Sequence, residues 1–299
     1  MPLLVLAAML AGCAAPDVAA PDPNDPDPED PGVTSLAPGT QPRVETIAYG
    51  EHADQVLDVH LPASDALDPD APAVVLVHGG FWRDGFRRDL MTSLADDLAA
   101  RGIVAVNVEY RRVGGAGGWP TTLTDVGEAV DHLAVLAGVP GSPIDVERVV
   151  TVGHSAGGHL ATWVAGRHRL PAGAPGSDPV VRPCAAVAQA GVVDLALAER
   201  QGLGGDAAAE LLGGPSDEVP ERWAVADPAR LVPLGVPVLL VHGAADDVVP
   251  PDVSTAYAAA AREAGDEVEL VVEPGDHFSV IDATHPLWAA VAERVATLC

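Results

Sequence analysis

Val149-Val150-Thr151-Val152-Gly153-His154-Ser155-Ala156-Gly157-Gly158-His159-Leu160 runs from a β-branched apolar segment through Gly-His-Ser-Ala-Gly into an Ala-rich helical pattern. A G-x-S-x-G set between a strand and a helix puts the serine on a strained turn with its hydroxyl exposed. Strand and helix come so close at such a turn that Gly153 and Gly157 leave room only for hydrogen. The stretch therefore predicts a strand carrying a nucleophile, Ser155, at the edge of a sheet.

Working outward, apolar runs alternate with segments of helical spacing. Two alternating segments, Val44 to Tyr49 and Gln55 to Leu61, read as an antiparallel pair around a polar turn. Ala73 to Val77, Ile103 to Val108, Arg148 to Val152, Ala185 to Gln189, Val236 to Val241 and Val268 to Val272 read as further strands. Helical patterns lie between them over Asp89 to Arg101, Leu123 to Leu136, Ala156 to Ala165 and Val253 to Glu263, and a last one closes the chain at Leu287 to Thr297. Strands alternating with helices predict an α/β fold, with a mostly parallel central sheet covered by helices on both faces. The one long interruption, about 192–234, predicts a small helical cap over the edge where ligands bind in open α/β folds.

A serine nucleophile needs a base, an orienting acid and donors for the developing oxyanion. The strand at Val268 to Val272 runs into Glu273-Pro274-Gly275-Asp276-His277-Phe278, at the edge where the Ser155 turn emerges. His277 is therefore the expected base. The strand before it runs into His242-Gly243-Ala244-Ala245-Asp246-Asp247, so Asp246 and Asp247 compete as the acid. His154, His159, His242 and His285 are read as packing or surface histidines. Gly80 and Phe81, in His78-Gly79-Gly80-Phe81-Trp82 directly after a strand, offer backbone N–H groups, as does Ala156 at a helix N-terminus. Trp82, Trp119 and Trp223 suit either pocket walls or structural packing.

His78-Gly79-Gly80-Phe81-Trp82, Glu109-Tyr110-Arg111, the Gly153–Leu160 stretch, His242-Gly243-x-x-Asp246 and His277-Phe278 together resemble the α/β-hydrolase superfamily. The resemblance covers roughly Val44 to the C-terminus. It lies nearest the esterase and lipase branch that includes kynurenine formamidases, feruloyl/acetylxylan esterase-like proteins and prolyl oligopeptidase catalytic domains. It implies the α/β-hydrolase fold and the chain order serine, acid, histidine. Its H-G-x-x-D spacing selects Asp246 over Asp247. The function implied is a serine hydrolase cutting carboxylic esters or small amides through an acyl-enzyme on Ser155. An arylformamidase or exopeptidase-like amidase is the alternative within enzymes, and a non-catalytic surface binding protein the alternative outside them.

Composition bounds the partners. A formal charge of −27, with all 16 basic residues arginine, repels nucleic acid and anionic headgroups. No Cys/His cluster has metal-ligand spacing and no G-x-G-x-x-G opens a helix after the first strand, so neither metal nor cofactor is expected. The apolar start ends in Leu10-Ala11-Gly12-Cys13, which resembles the lipobox of bacterial lipoproteins. That implies removal of residues 1–12, a lipid on Cys13 and an exported, membrane-anchored protein, or failing that a secreted one. Residues 13–42, dominated by Pro and Asp, read as an extended tether before a body at 43–299. In an oxidising compartment Cys184 and Cys299, both expected near the strand N-termini, become a candidate disulfide.

Overall fold

The computed structural model describes residues 33–299; Cys13 and most of the expected tether lie outside them. Eight strands form one sheet: β1 (Arg43–Ala48), β2 (Val56–Leu61), β3 (Ala73–Val77), β4 (Ala105–Val108), β5 (Val149–His154), β6 (Ala185–Gln189), β7 (Val238–Gly243) and β8 (Val268–Glu273). Their spatial order is β1-β2-β4-β3-β5-β6-β7-β8. β1 pairs antiparallel with β2 and β2 with β4; every other pairing is parallel. The central strands are buried on both faces, which is why they read as unbroken apolar runs rather than alternating ones.

Side chains of alternate strand residues fill two cores. Val75 and Val77 face one of them, covered by α2 (Thr121–Asp131), α3 (Leu133–Ala137), α4 (Ala156–Gly166) and α8 (Asp252–Ala264). Val74 and Leu76 face the other, under α1 (Thr92–Ala100) and α9 (Pro286–Val295). Between β6 and β7 lie α5 (Leu195–Gln201), α6 (Ala207–Leu212) and α7 (Pro220–Ala226). The expected helix over Leu123 to Leu136 is interrupted only at His132, between α2 and α3, where the helical bond from His132 N–H to Glu128 O persists. The Asp131 carboxylate accepts from Arg167 and from the Val180 and Val181 N–H groups. The packed body also reaches back beyond Arg43. Leu36 is fully buried, and its N–H donates to Pro140 O at 3.2 Å.

Register brings the chemistry-bearing loops to one edge. Val77 of β3 lies opposite Gly153 of β5, His154 opposite Gln189 of β6, and Gly243 of β7 opposite Glu273 of β8. The chain therefore leaves the sheet at His78, Ser155, Ala244 and Pro274 on the same side.

Candidate active site

Ser155 sits between β5 and α4 with φ 55° and ψ −119°, a conformation a non-glycine residue adopts only where its surroundings enforce it. The enforcement is steric. A Cβ on Gly153 would strike the Gly157 carbonyl, and one on Gly157 would strike the carbonyls of Val77 and His78. The Ser155 N–H donates to Gln189 O at 2.9 Å, and its own carbonyl accepts from His159 and Val192 N–H at 3.2 Å each. The backbone is thus held from both sides.

Asp246 and His277 meet 31 residues apart in the chain: His277 Nδ1–H donates to Asp246 Oδ2 at 2.7 Å. Asp246 Oδ1 accepts the N–H groups of Val248 and Val249 at 2.9 Å each. Burial pushes this carboxyl up, but hydrogen bonds from His242, His277 and Val249 outweigh it and hold the group well below the usual carboxylate range. Asp247 is exposed on the same loop. His277 in turn touches the turn that carries Ser155. Its carbonyl accepts His154 Nε2–H at 2.9 Å, and the two imidazoles lie 4.6 Å apart. With Nδ1 committed to Asp246, His277 Nε2 has no hydrogen-bond partner among the described residues, and neither has the Ser155 hydroxyl.

The loop after β3 lies against the same serine. A Cβ on Gly79 would come within 3.0 Å of Ser155 Cβ and 2.8 Å of His154 O. Gly80, Phe81 and Trp82 all take positive φ, at 114°, 55° and 57°. Two side-chain-bearing residues in that region cost about 1–3 kcal/mol each, so something must hold them. Trp82 Nε1–H donates to Ala156 O at 3.1 Å and to His159 Nδ1 at 3.2 Å, while Trp82 O accepts the Val113 N–H at 2.8 Å. Among the described residues the N–H groups of Gly80 and Phe81 have no acceptor, and that of Ala156, first in its helix, has none within the helix.

Behind this loop stands a buried polar cluster that sequence reading did not find. His78 Nδ1 lies 2.7 Å from Gly79 O and Nε2 3.0 Å from Glu109 Oε1; burial lowers its pKa to about 3, so the ring is neutral and one of these nitrogens carries the proton. Glu109 also pairs with Arg112 and accepts the Arg88 N–H at 3.1 Å. Tyr110 stacks on His78 at 4.3 Å, and its hydroxyl donates to His78 O at 2.8 Å. Two more histidines are buried packing residues that hold parts of the site in place. His242 Nε2–H is shared between Val249 O at 2.7 Å and Asp246 Oδ2 at 3.2 Å, with Ser254 Oγ 2.8 Å from Nδ1. His159 Nε2–H donates to Ala226 O at 2.8 Å and ties α7 to α4; burial lowers its pKa to about 4, so it stays neutral. Trp82 and Trp223 are buried, and Trp223 Nε1–H donates to Gly214 O at 3.1 Å, so neither forms a pocket wall. Trp119 is half-buried against the core.

The segment over this edge is held by Asp227. Its carboxylate accepts the N–H of Leu195 at 3.1 Å and of Ala229 at 3.2 Å, and burial raises its pKa to about 6 against those bonds. The folded value lies above the ordinary 3.8. Its contribution to stability is therefore full below pH 3.8 and is lost as pH rises through 6. Asp227→Asn keeps the accepting oxygen without the charge. Denaturant titration should find the variant more stable than the parent by about 3 kcal/mol at pH 7.5, and equal to it at pH 3.5.

Among the described residues no group of three or more His, Cys, Asp or Glu side chains converges as metal ligands would. Cys184 and Cys299, 115 residues apart, are brought together with Cα atoms 5.7 Å apart, a separation disulfides span.

A mostly parallel sheet with helices on both faces, a serine on the turn after β5, and an Asp–His pair on the loops after β7 and β8 define an α/β-hydrolase fold. The chain belongs to the BD-FAE family, whose model matches residues 57–260. It is 30% identical over 262 residues to Esterase LipQ of Mycobacterium tuberculosis, covering 84% of this chain and 60% of that protein. It is 33% identical over 118 residues to the kynurenine formamidase of Danio rerio, covering 40% of this chain and 37% of that one. The chain thus spans less than two thirds of either relative's length. In three dimensions it resembles an inhibited esterase B from Lactobacillus rhamnosis, with TM-score 0.72 and 21% identity over 87% of this chain and 86% of that one.

Proposed function

We propose that this chain is a serine hydrolase that cleaves carboxylic esters. The observation that carries the reading is the Asp246–His277 hydrogen bond of 2.7 Å beside the strained turn at Ser155, with His277 Nε2 left over for a proton. In this reading His277 takes the Ser155 proton on Nε2 as Oγ attacks the ester carbonyl carbon. Asp246 holds the ring's tautomer and stabilises the imidazolium. The carbonyl oxygen, now negative, turns to the N–H groups of Gly80, Phe81 and Ala156, each worth about 3–4 kcal/mol in such a site. The imidazolium returns the proton to the alcohol, which leaves an acyl group on Ser155. Water, activated by the same histidine, releases the acid and restores the serine.

The expected result is release of p-nitrophenol from short-chain esters, together with fluorophosphonate labelling that maps to Ser155. A chain that does neither is not this enzyme. Similarity to a kynurenine formamidase favours one second reading, hydrolysis of a small aryl amide. It prevails if N-formylkynurenine is turned over faster than every ester.

The same proposal includes location. An anchor at Cys13 on the extracytoplasmic side would place Cys184 and Cys299 under oxidising conditions, where their proximity supports a disulfide between them. An Ellman count on the denatured protein should then find neither thiol free.

A further inference from the structure

Only three phenylalanines occur in the chain, and none lies on a strand. Phe81 is in the loop after β3, Phe86 packs its ring where a Cβ on Gly80 would lie, and Phe278 follows His277 directly. Phe278 is 57% exposed and Phe86 41%, among the few large apolar side chains left in water.

Phe278 is held in that position. Asp276 Oδ1 accepts the N–H groups of Phe278 and Ser279 at 3.0 Å each, which fixes the turn. The ring stands edge-on to the His277 imidazole, with centroids 5.4 Å apart and planes at 82°, and lies 6.1 Å from His154. In the serine-hydrolase reading, on which this inference rests, His277 must hand a proton to the departing oxygen. That oxygen has to come within hydrogen-bond reach of His277. The alcohol's substituent then lies close to the imidazole, whose exposed aromatic neighbour is Phe278, 5.4 Å away.

We propose that Phe278 sets specificity for the leaving alcohol, and that its ring receives an apolar, ring-bearing alcohol moiety. The acyl group lies elsewhere, so the residue acts on binding and acylation and drops out once the alcohol has gone. Benzyl acetate and ethyl acetate make the test, because both yield the same acetyl-enzyme and so share one deacylation step. In Phe278→Ala, kcat/KM should fall about tenfold further on benzyl acetate than on ethyl acetate, the scale of one aromatic contact. Deacylation, followed after rapid acetylation, should keep the parent rate, and Phe278→Tyr should restore the parent's benzyl-to-ethyl ratio. Equal losses on the two esters, or a slowed deacylation, overturn the proposal while leaving the hydrolase reading intact. If the parent cleaves neither ester and fluorophosphonate leaves Ser155 unlabelled, the hydrolase reading fails and takes this one with it.

Discussion

Ser155→Ala should fold like the parent and hydrolyse p-nitrophenyl acetate on the order of 10⁶-fold more slowly in kcat. Both halves of that expectation come from the turn. Alanine keeps the Cβ, so the strain at φ 55° is the same in the variant, and the glycines that accommodate it are untouched. The lost hydroxyl makes no hydrogen bond within the described residues, so the denaturation midpoint should move by less than about 0.5 kcal/mol in stability. What disappears, in the proposed mechanism, is the attacking atom. The unpaired N–H groups of Gly80, Phe81 and Ala156 would still polarise a bound carbonyl, and some acceleration over water should survive, about 10³–10⁴ by precedent in serine proteases. Retention of a hundredth or more of the parent activity, after correction for contaminating esterase by active-site titration, would mean that another group is the nucleophile. A chain using this fold only to bind ligands makes a different forecast, with no turnover in either form.

The strands are legible in the sequence because burial on both faces leaves them no reason to alternate. Val149 to Val152 and Ala73 to Val77 announce themselves as apolar runs, and their ends align the loops that matter. Gly153 and Gly157 are legible for a steric reason, since any side chain there meets backbone. Single histidines are another matter. His154, His159 and His242 stand among apolar neighbours and look like filler, yet each commits a ring nitrogen to a backbone carbonyl. For His154 and His159 that carbonyl lies 123 and 67 residues away. No local pattern encodes a partner at that distance. Glu109 is legible as part of the Glu109-Tyr110-Arg111 motif, but its partners His78, Arg88 and Arg112 are not. The break between α2 and α3 lacks a Gly or Pro to mark it, and it is slight: His132 between them keeps helical angles and its N–H still donates to Glu128 O. Leu36 is concealed by composition, one of the few large apolar residues in a stretch whose Pro and Asp content reads as tether.

Asp246→Asn should lower kcat about 10⁴-fold, almost as far as loss of the base itself, although the exchange alters the shape of the side chain hardly at all. The four hydrogen bonds to this carboxylate decide the outcome. Oδ1 accepts two backbone N–H groups, from Val248 and Val249, so an asparagine must put its carbonyl oxygen there. Its NH₂ then occupies the place of Oδ2, which in the parent accepts from His277 Nδ1 at 2.7 Å and lies 3.2 Å from His242 Nε2. Two donors now face a third. His277 can relieve the conflict only by giving up the Nδ1 proton, and a neutral ring then carries it on Nε2, where Ser155 needs an acceptor. The opposite placement of the amide leaves two buried backbone N–H groups facing an NH₂, at about 1–3 kcal/mol each. The bonds to Asp246 hold its carboxyl well below the usual carboxylate range, so it stays ionised on mild acidification and its protonation does not limit activity there. The variant should recover some rate at high pH, where hydroxide can replace the missing base, and the parent should not. A variant that keeps a tenth or more of the parent kcat, with a parallel pH profile, would show that Asp246 supports the loop and does not set the tautomer of His277.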